Sequence, residues 1–358
     1  MSPLKEKAPP GVITIIKEGL VFMKRILLVL PLILCLSACS ASKGPVSGTE
    51  FALGTVISLK IMDHGDEALL EEAFELVRDI ENRMSTRVEG SDIWEINRQA
   101  GQNPVAVSPQ TLEVIRQGIA YGEFSQGRFD ISMGPVVDLW KIGSNDARLP
   151  ESDEISEALK RVDYQKIQIN GNTVGIDAGM SLDLGAIAKG YAADRVAELL
   201  VSRGVKSAIL DLGGNIKVIG DREDAQPYRI GIRSPFEGRN QYFGIISIRN
   251  QSVVSSGDYE RYFEEEGRRY HHIFDTSTGY PVETEVAQVT VITEKSMEAD
   301  ALSTSFYTMS VEEGLALADS MDHVLIIYVM RDYRVYYSKG IEEIFELTDS
   351  DFTVQTID

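Results

Sequence analysis

The chain has 358 residues, 43% of them hydrophobic and 25% charged, a composition typical of one or two ordinary globular domains. Its formal net charge of −20 disfavours contact with nucleic acid, so no nucleic-acid partner is expected. Both cysteines, Cys35 and Cys39, lie near the N-terminus. The rest of the chain therefore has no thiol for catalysis, for structural zinc or for a disulfide.

The N-terminal region has the pattern of a secretory signal. A basic start at residues 23–25 precedes an apolar run, Ile26 to Leu36, and small residues follow. The run is too short for a comfortable membrane span. It ends in Leu-Ser-Ala-Cys at residues 36–39, which resembles the bacterial lipoprotein signal, where the cysteine receives lipid.

We therefore predict a signal peptide over residues 1–38, with Met23 as an alternative translation start. Cys39 is the predicted lipidation site, and residues 39–48, which are small and polar, are predicted to form a tether. The protein is then expected to be exported and lipid-anchored to a bacterial membrane, on its periplasmic or extracytoplasmic face. A plain signal peptide or a small anchor helix is the alternative.

Hydrophobic periodicity predicts mixed elements in the first half of the remaining chain. In chain order they are a strand over Gly54–Met62, helices over Asp66–Met84, Pro109–Phe124 and Ser152–Lys160, strands over Lys166–Ile169 and Thr173–Ile176, and a helix over Ile187–Val201. The two short strands flank a Gly-Asn turn, which predicts a hairpin.

The second half is predicted to be richer in strands. In chain order they are strands over Ala208–Asp211, Asn215–Ile219, Tyr228–Ile232, Gly244–Ile248, Tyr270–Phe274 and Val286–Thr293, helices over Ser296–Met309 and Val311–Met321, and a hairpin of Val324–Met330 with Arg334–Tyr337. This mixed order favours an α+β fold over a parallel doubly wound sheet.

One segment places Asp183 and Gly185 directly before the predicted helix at residue 187. Backbone N–H groups at a helix start are donors for phosphate. Lys189 lies in the first turn, where a cation is unfavourable for the helix dipole unless an anion is nearby. The alternative is an Asp N-cap followed by a solvent-facing lysine.

Three further segments are ambiguous when each is taken alone. Residues 211–215, Asp-Leu-Gly-Gly-Asn, allow close backbone approach but also suit a tight turn. His271 and His272 are adjacent, so in a strand they face opposite sides, and one packed and one solvated histidine is an equal alternative. Asp300 and Thr304 share one helix face and offer two hard oxygens to Mg²⁺, although a polar helix face is the simpler interpretation.

Together, and in this order, these segments resemble the ApbE family of FAD:protein FMN transferases, in which lipoprotein forms are common. The matching pieces are Leu53-Gly54-Thr55, Met84-Ser85-Thr86, Gly127–Asp130, Asp183–Gly190, Asp211–Asn215, Ser256–Tyr259, His272-Ile273 with Gly279, and Ala299–Thr304. The resemblance implies one compact α+β catalytic domain over residues 49–350, T-fold-like, with a mixed, largely antiparallel sheet and flanking helices.

The resemblance also implies an activity: Mg²⁺-dependent transfer of the FMN half of FAD to a threonine hydroxyl of another protein, with release of AMP. The implied metal positions are the Ala186 carbonyl, Asp300 and Thr304, with Ser303 beside them. The implied FAD-binding positions are Leu53, Ser85, Thr86, Phe129, Asp130, Ile131, Asp183, Lys189, His272 and Ile273. His272 is the candidate catalytic base, with Asp300 as its rival.

Two other functions would use the same residues. One is a Mg²⁺-dependent FAD pyrophosphatase that releases FMN and AMP, and the other is a non-catalytic, lipid-anchored FAD-binding protein. The partners that the resemblance implies are FAD and flavinylated exported or membrane redox proteins. Subunits of the sodium-pumping NADH:quinone reductase or of Rnf-type complexes are examples.

Overall fold

A nine-stranded sheet is the centre of the fold in the computed structural model, which describes residues 44–236 and 242–357. The first strands in chain order are β1 (Val46–Ala52), β2 (Thr55–Ile61), β3 (Val105–Ala106), β4 (Gln168–Asn170), β5 (Thr173–Gly175), β6 (Ser207–Leu212), β7 (Asn215–Gly220) and β8 (Tyr228–Arg233). The remaining strands are β9 (Tyr242–Ile248), β10 (Ser252–Gly257), β11 (Tyr262–Glu265), β12 (Arg268–His271), β13 (Val286–Thr293), β14 (Leu325–Met330), β15 (Arg334–Tyr337), β16 (Phe345–Leu347) and β17 (Thr353–Val354).

The strands of the large sheet follow the order β1-β2-β6-β7-β10-β13-β14-β15-β17. Neighbours are antiparallel except for β15 and β17, which are parallel. Three smaller sheets have the orders β3-β5-β4, β16-β9-β8 and β11-β12. The predicted α+β class, with a mixed and largely antiparallel sheet, is therefore confirmed.

The described residues contain eight helices, most of which pack on one face of this sheet. They are α1 (Glu67–Met84), α2 (Asp92–Arg98), α3 (Pro109–Phe124), α4 (Gly134–Trp140), α5 (Ser152–Leu159), α6 (Ala188–Ser202), α7 (Ser296–Tyr307) and α8 (Val311–Asp319), and 3₁₀ turns occur at Tyr164–Lys166 and Ile341–Glu343. No helix within the described ranges is long and apolar enough to cross a membrane.

The sheet is buried on both faces. On one face, α1 and α6 share a core with β2 and β6, and α7 and α8 share a core with β13 and β14. On the other face, the small sheet of β8, β9 and β16 packs against the same large sheet. Burial on both faces explains why every residue of β13 is apolar or a buried polar residue, without the alternation of a half-exposed strand.

Most predicted elements are present within a residue or two of their expected bounds. The strand predicted over Tyr270–Phe274 is an exception, because β12 ends at His271. The backbone then leaves the ladder: the N–H of His272 donates to the Arg261 carbonyl, and the Ile273 carbonyl accepts from Val282. Lys166, expected in a strand, belongs to a 3₁₀ turn.

The predicted tether is also too long. Strand β1 begins at Val46, so residues 46–48 pair with β2 instead of remaining free. The predicted signal peptide, Cys39 and residues 39–43 of the tether lie outside the described residues.

Candidate active site

Helices α6 and α7 touch at Gly190. A Cβ atom added to Gly190 would lie 2.3 Å from the Ser296 carbonyl oxygen, so only glycine allows this approach. The contact brings Lys189 of α6 against Asp300 of α7, with Lys189 Nζ 3.2 Å from Asp300 Oδ1. Two segments that are 111 residues apart in sequence thus form one site.

Asp300 is the buried centre of this site. Only 4% of the residue is exposed, and Oδ2 accepts a hydrogen bond of 3.0 Å from the Gly190 N–H. Gly190 is the third residue of α6, so its N–H has no carbonyl partner within the helix, and the Asp300 carboxylate accepts from it instead. Within residues 44–236 and 242–357, no hydrogen bond to the Ala186 carbonyl is present, so this oxygen is available to a ligand.

The hydroxyl groups beside Asp300 differ in their availability. Ser303 Oγ donates to the Asp300 carbonyl at 2.9 Å and lies 2.8 Å from Ser256 Oγ of β10, so it ties α7 to the sheet. Thr304 Oγ1 is 3.5 Å from the Asp300 carbonyl, at the limit of a hydrogen bond. Thr304 therefore has the freer oxygen of the two.

These donors suit a hard cation. The Asp300 carboxylate, the Thr304 hydroxyl and the Ala186 carbonyl are all oxygen ligands of the kind that Mg²⁺ prefers. The Lys189 ammonium lies between Asp300 and the Gly185 carbonyl, 3.1 Å from the latter, so a positive charge is already paired with the Asp300 carboxylate. No group of three or more His, Cys, Asp or Glu residues in the described part of the chain could hold a metal, so any metal here needs hydroxyl and carbonyl oxygens in addition to the Asp300 carboxylate.

His272 lies near this pair. Its Nδ1 is 3.2 Å from the Arg261 carbonyl, which requires Nδ1 to be the protonated nitrogen and leaves Nε2 as an acceptor. Burial, with the nearby charges of Arg261 and His271, lowers the pKa of His272 to about 3. The imidazole is therefore neutral at physiological pH.

Sequence reasoning missed two residues on the same wall of the site. The Glu260 side chain is exposed, but the protein around its carboxyl removes part of the surrounding water and so raises the pKa of that carboxyl to about 7. The Asp300 charge adds to the rise, while Lys189 and Arg261 oppose it. Glu260 and Arg261 directly follow the Ser256–Tyr259 motif, and this adjacency was the available signal.

The segment before α6 is fixed by its neighbours. Asn97 exchanges two hydrogen bonds with the Leu182 backbone, of 2.9 and 2.7 Å. The N–H of Asp183 donates to the Ile131 carbonyl at 2.8 Å, and Asp183 Oδ1 accepts from Gly185 at 2.7 Å. The predicted positions 131 and 183 are therefore neighbours.

Several predicted FAD-binding residues have side chains that are buried in the cores or hydrogen-bonded within the protein. Phe129, Ile131 and Ile273 are 2%, 2% and 3% exposed and pack in the cores. The Asp130 carboxylate accepts three hydrogen bonds, two from Ser132 and one from the Tyr164 N–H. Phe129, Asp130, Ile131 and Ile273 can therefore contact a ligand only through their backbone atoms.

The predicted positions at the two remaining segments are half-buried. Ser85 caps α1 and accepts through its carbonyl from Ser91 Oγ, and Thr86 follows it. Leu53 lies in the β1–β2 turn with φ of 53°, where the next carbonyl, that of Gly54, accepts from Arg261 Nη2 at 3.3 Å. The hairpin turn thus lies beside the wall that carries His272.

The family model of the ApbE family matches residues 53–328, and the chain belongs to this family. A FAD:protein FMN transferase of Treponema pallidum is 35% identical over 329 residues, covering 86% of this chain and 91% of that protein. Another from Klebsiella pneumoniae is 35% identical over 305 residues, covering 84% and 94%.

Solved structures agree in fold. The ApbE protein of Thermotoga maritima superposes with a TM-score of 0.79 at 30% identity, covering 85% of this chain and all of that one. The flavin transferase ApbE of Vibrio cholerae gives a TM-score of 0.76 at 28% identity, covering 84% and 99%. The family and the fold expected from the sequence are both confirmed.

Proposed function

We propose that this enzyme transfers the FMN half of FAD to a threonine hydroxyl of an acceptor protein, with Mg²⁺ and with release of AMP. Curated relatives that match most of the chain are named FAD:protein FMN transferases, which supports the reaction class. The observation that carries the proposal is the contact at Gly190, which places Lys189 and Asp300 together beside His272.

The site would bind a dianionic pyrophosphate on a strongly acidic protein. Lys189, in the first turn of α6, supplies a positive charge. Asp300, Thr304 and the Ala186 carbonyl would hold Mg²⁺, which neutralises charge on the pyrophosphate and on the leaving AMP. Positioning and charge neutralisation supply most of the catalysis in phosphoryl transfer.

In the transfer, the threonine oxygen bonds to the phosphorus on the FMN side, and the bond from that phosphorus to the bridging oxygen breaks. AMP leaves with the electron pair, and the hydroxyl proton passes to a base. His272 suits this role, because the hydrogen bond from Nδ1 to the Arg261 carbonyl leaves Nε2 as the unprotonated nitrogen. Asp300 is a poorer base, since the Gly190 N–H and Lys189 already engage its oxygens.

The low pKa of His272 in the ligand-free site does not conflict with this role. Burial and neighbouring cations disfavour the imidazolium, and an anionic substrate would act in the opposite direction. We therefore expect FAD to raise the pKa of His272, which makes proton acceptance easier in the complex than in the free enzyme.

The test is incubation with FAD, Mg²⁺ and a threonine-containing subunit of the sodium-pumping NADH:quinone reductase, with an Rnf-type subunit as a second acceptor. A mass shift and yellow fluorescence that survive denaturation are expected on the acceptor. Asp300→Ala should abolish the transfer, whereas Val201→Ser, at an exposed site on the far end of α6, should not. Release of free FMN and AMP without labelled acceptor would favour the pyrophosphatase, and tight FAD retention without turnover would favour the binding protein.

Export and anchoring are part of the proposal and are supported by the N-terminal sequence. The signal-like run and Leu-Ser-Ala-Cys at residues 36–39 predict a lipidated Cys39. Cys39→Ser should move the protein from the membrane fraction to the soluble fraction without changing its activity on a soluble acceptor. A wild-type protein that is already soluble after fractionation contradicts the anchor.

A further inference from the structure

The tip of the β1–β2 hairpin carries two large apolar side chains in solvent. Phe51 is 76% exposed and Val56 is 55% exposed. They are cross-strand partners in the register, so they lie side by side on one face and form a single apolar surface, here called the hairpin tip. Further from the turn, the same face carries the polar pairs Thr49 with Ser58 and Ser47 with Lys60.

The hairpin tip is connected to the catalytic wall. The Gly54 carbonyl in the turn accepts from Arg261 Nη2 at 3.3 Å, and the Arg261 carbonyl holds His272 at 3.2 Å. On the other side, Thr55 packs against Gly213 so closely that an added Cβ would be 2.2 Å from Thr55 Oγ1. The turn therefore has a fixed position beside the candidate base.

The charges around the hairpin tip are unlike those of the whole chain, whose net charge is −20. The one carboxylate of the hairpin, Glu50, is neutralised by Arg78 of α1 at 2.7 Å. Lys60 lies on the same face of the hairpin, Asp211 of β6 lies beside Ser58 on that face, and Arg261 contacts the turn. Charges of both signs therefore surround the hairpin tip, and its apolar pair is what distinguishes this surface.

We propose that the hairpin tip is the docking surface for the acceptor polypeptide, which binds as an extended segment with an apolar side chain near its threonine. The inference rests on the proposed transfer reaction. In the described part of the chain, β1 is an edge strand of the nine-stranded sheet, so its outer main-chain groups can pair with such a segment. Phe51 and Val56 would then cover the apolar side chain of the segment while its threonine enters the site.

The test compares transfer with cleavage by water in the same preparation. The double variant Phe51→Ser, Val56→Ser should raise KM for the quinone reductase subunit at least about tenfold, the usual effect of losing a well-buried contact. FAD binding and the slow release of free FMN should be unchanged, because neither uses the acceptor. Since both side chains are exposed, the melting temperature should be unchanged as well.

A matched control replaces equally exposed apolar residues elsewhere. Tyr242 is 60% exposed and Val201 is 55% exposed, and the variant Tyr242→Ser, Val201→Ser should transfer FMN at the wild-type KM. A hairpin-tip variant with wild-type KM for the acceptor overturns this inference alone. A wild-type enzyme that cleaves FAD but labels no acceptor overturns the proposed function, and the docking surface with it.

Discussion

Replacing Asp300 with asparagine tests the centre of the site with little change in shape. The amide can still accept from the Gly190 N–H, now 3.0 Å from Oδ2, through its carbonyl oxygen. Its NH₂ group then faces the Lys189 ammonium, which lies 3.2 and 3.4 Å from the two carboxylate oxygens. The variant therefore keeps the helix contact and loses the ion pair.

The cost can be bounded from these contacts. Breaking a buried ion pair costs about 3–5 kcal/mol, but the Lys189 side chain is 21% exposed, so water partly replaces the carboxylate. We expect Asp300→Asn to lower the free energy of unfolding by about 2 kcal/mol in EDTA, within the range for one charged hydrogen bond. Adding Mg²⁺ at about 100 times its Kd should stabilise the wild-type protein by about 2.7 kcal/mol and the variant hardly at all.

Urea unfolding with EDTA and with MgCl₂ measures both quantities. Asp258→Asn is the matched control, because Asp258 is equally buried and pairs at 2.8 Å with Arg331 instead of with Lys189. The control should lose stability and keep the full gain from Mg²⁺. An Asp300→Asn protein with the wild-type gain from Mg²⁺ would refute the metal assignment, and one with unchanged stability in EDTA would refute the ion-pair reasoning.

Three further predictions follow from the geometry. Gly190→Ala should lower the free energy of unfolding by at least about 1–3 kcal/mol and remove most of the transfer activity, because its Cβ would lie 2.3 Å from the Ser296 carbonyl oxygen. A fully active variant with the wild-type urea midpoint contradicts the close contact. His272→Asn should slow transfer by about 10²–10⁴-fold with little change in FAD affinity, as measured by single-turnover labelling, and an unchanged rate would remove His272 as the base. Burial lowers the pKa of His271 below its usual 6.5, so the unfolded chain takes up a proton first and the free energy of unfolding should fall as the pH drops below about 6.5. His271→Asn should reduce the slope of the free energy of unfolding against pH between pH 7 and 5. An identical slope in the variant counts against this role of His271.

The sequence by itself determined the local relations of the site. Asp300 and Thr304 share a helix face because they are four residues apart, and the structure places them so on α7. His271 is the last residue of β12 and its Nε2 is 3.0 Å from the Val282 carbonyl, whereas His272 lies beyond the strand, so the alternation expected of a strand does not extend to it. Periodicity likewise located most helices and strands, since it reflects which face of each element is buried.

Only the tertiary structure shows which of the predicted side chains are free to contact a ligand. The Asp130 carboxylate is used by Ser132 and Tyr164, and Ile273 is in the core, so their side chains are not free for a ligand. Glu260 matters because the protein around its exposed carboxyl, with the nearby Asp300 charge, raises its pKa, which is a property of its surroundings and not of its residue type.

The central contact is the clearest case. In the sequence, Gly190 is an ordinary helix residue. In the structure, α7 packs directly against it, and this contact makes Lys189 and Asp300 partners. The order of residues determines which groups lie on each face of a helix, because a helix repeats every 3.6 residues. Which faces meet depends on packing between segments more than 100 residues apart, and no local rule contains that information.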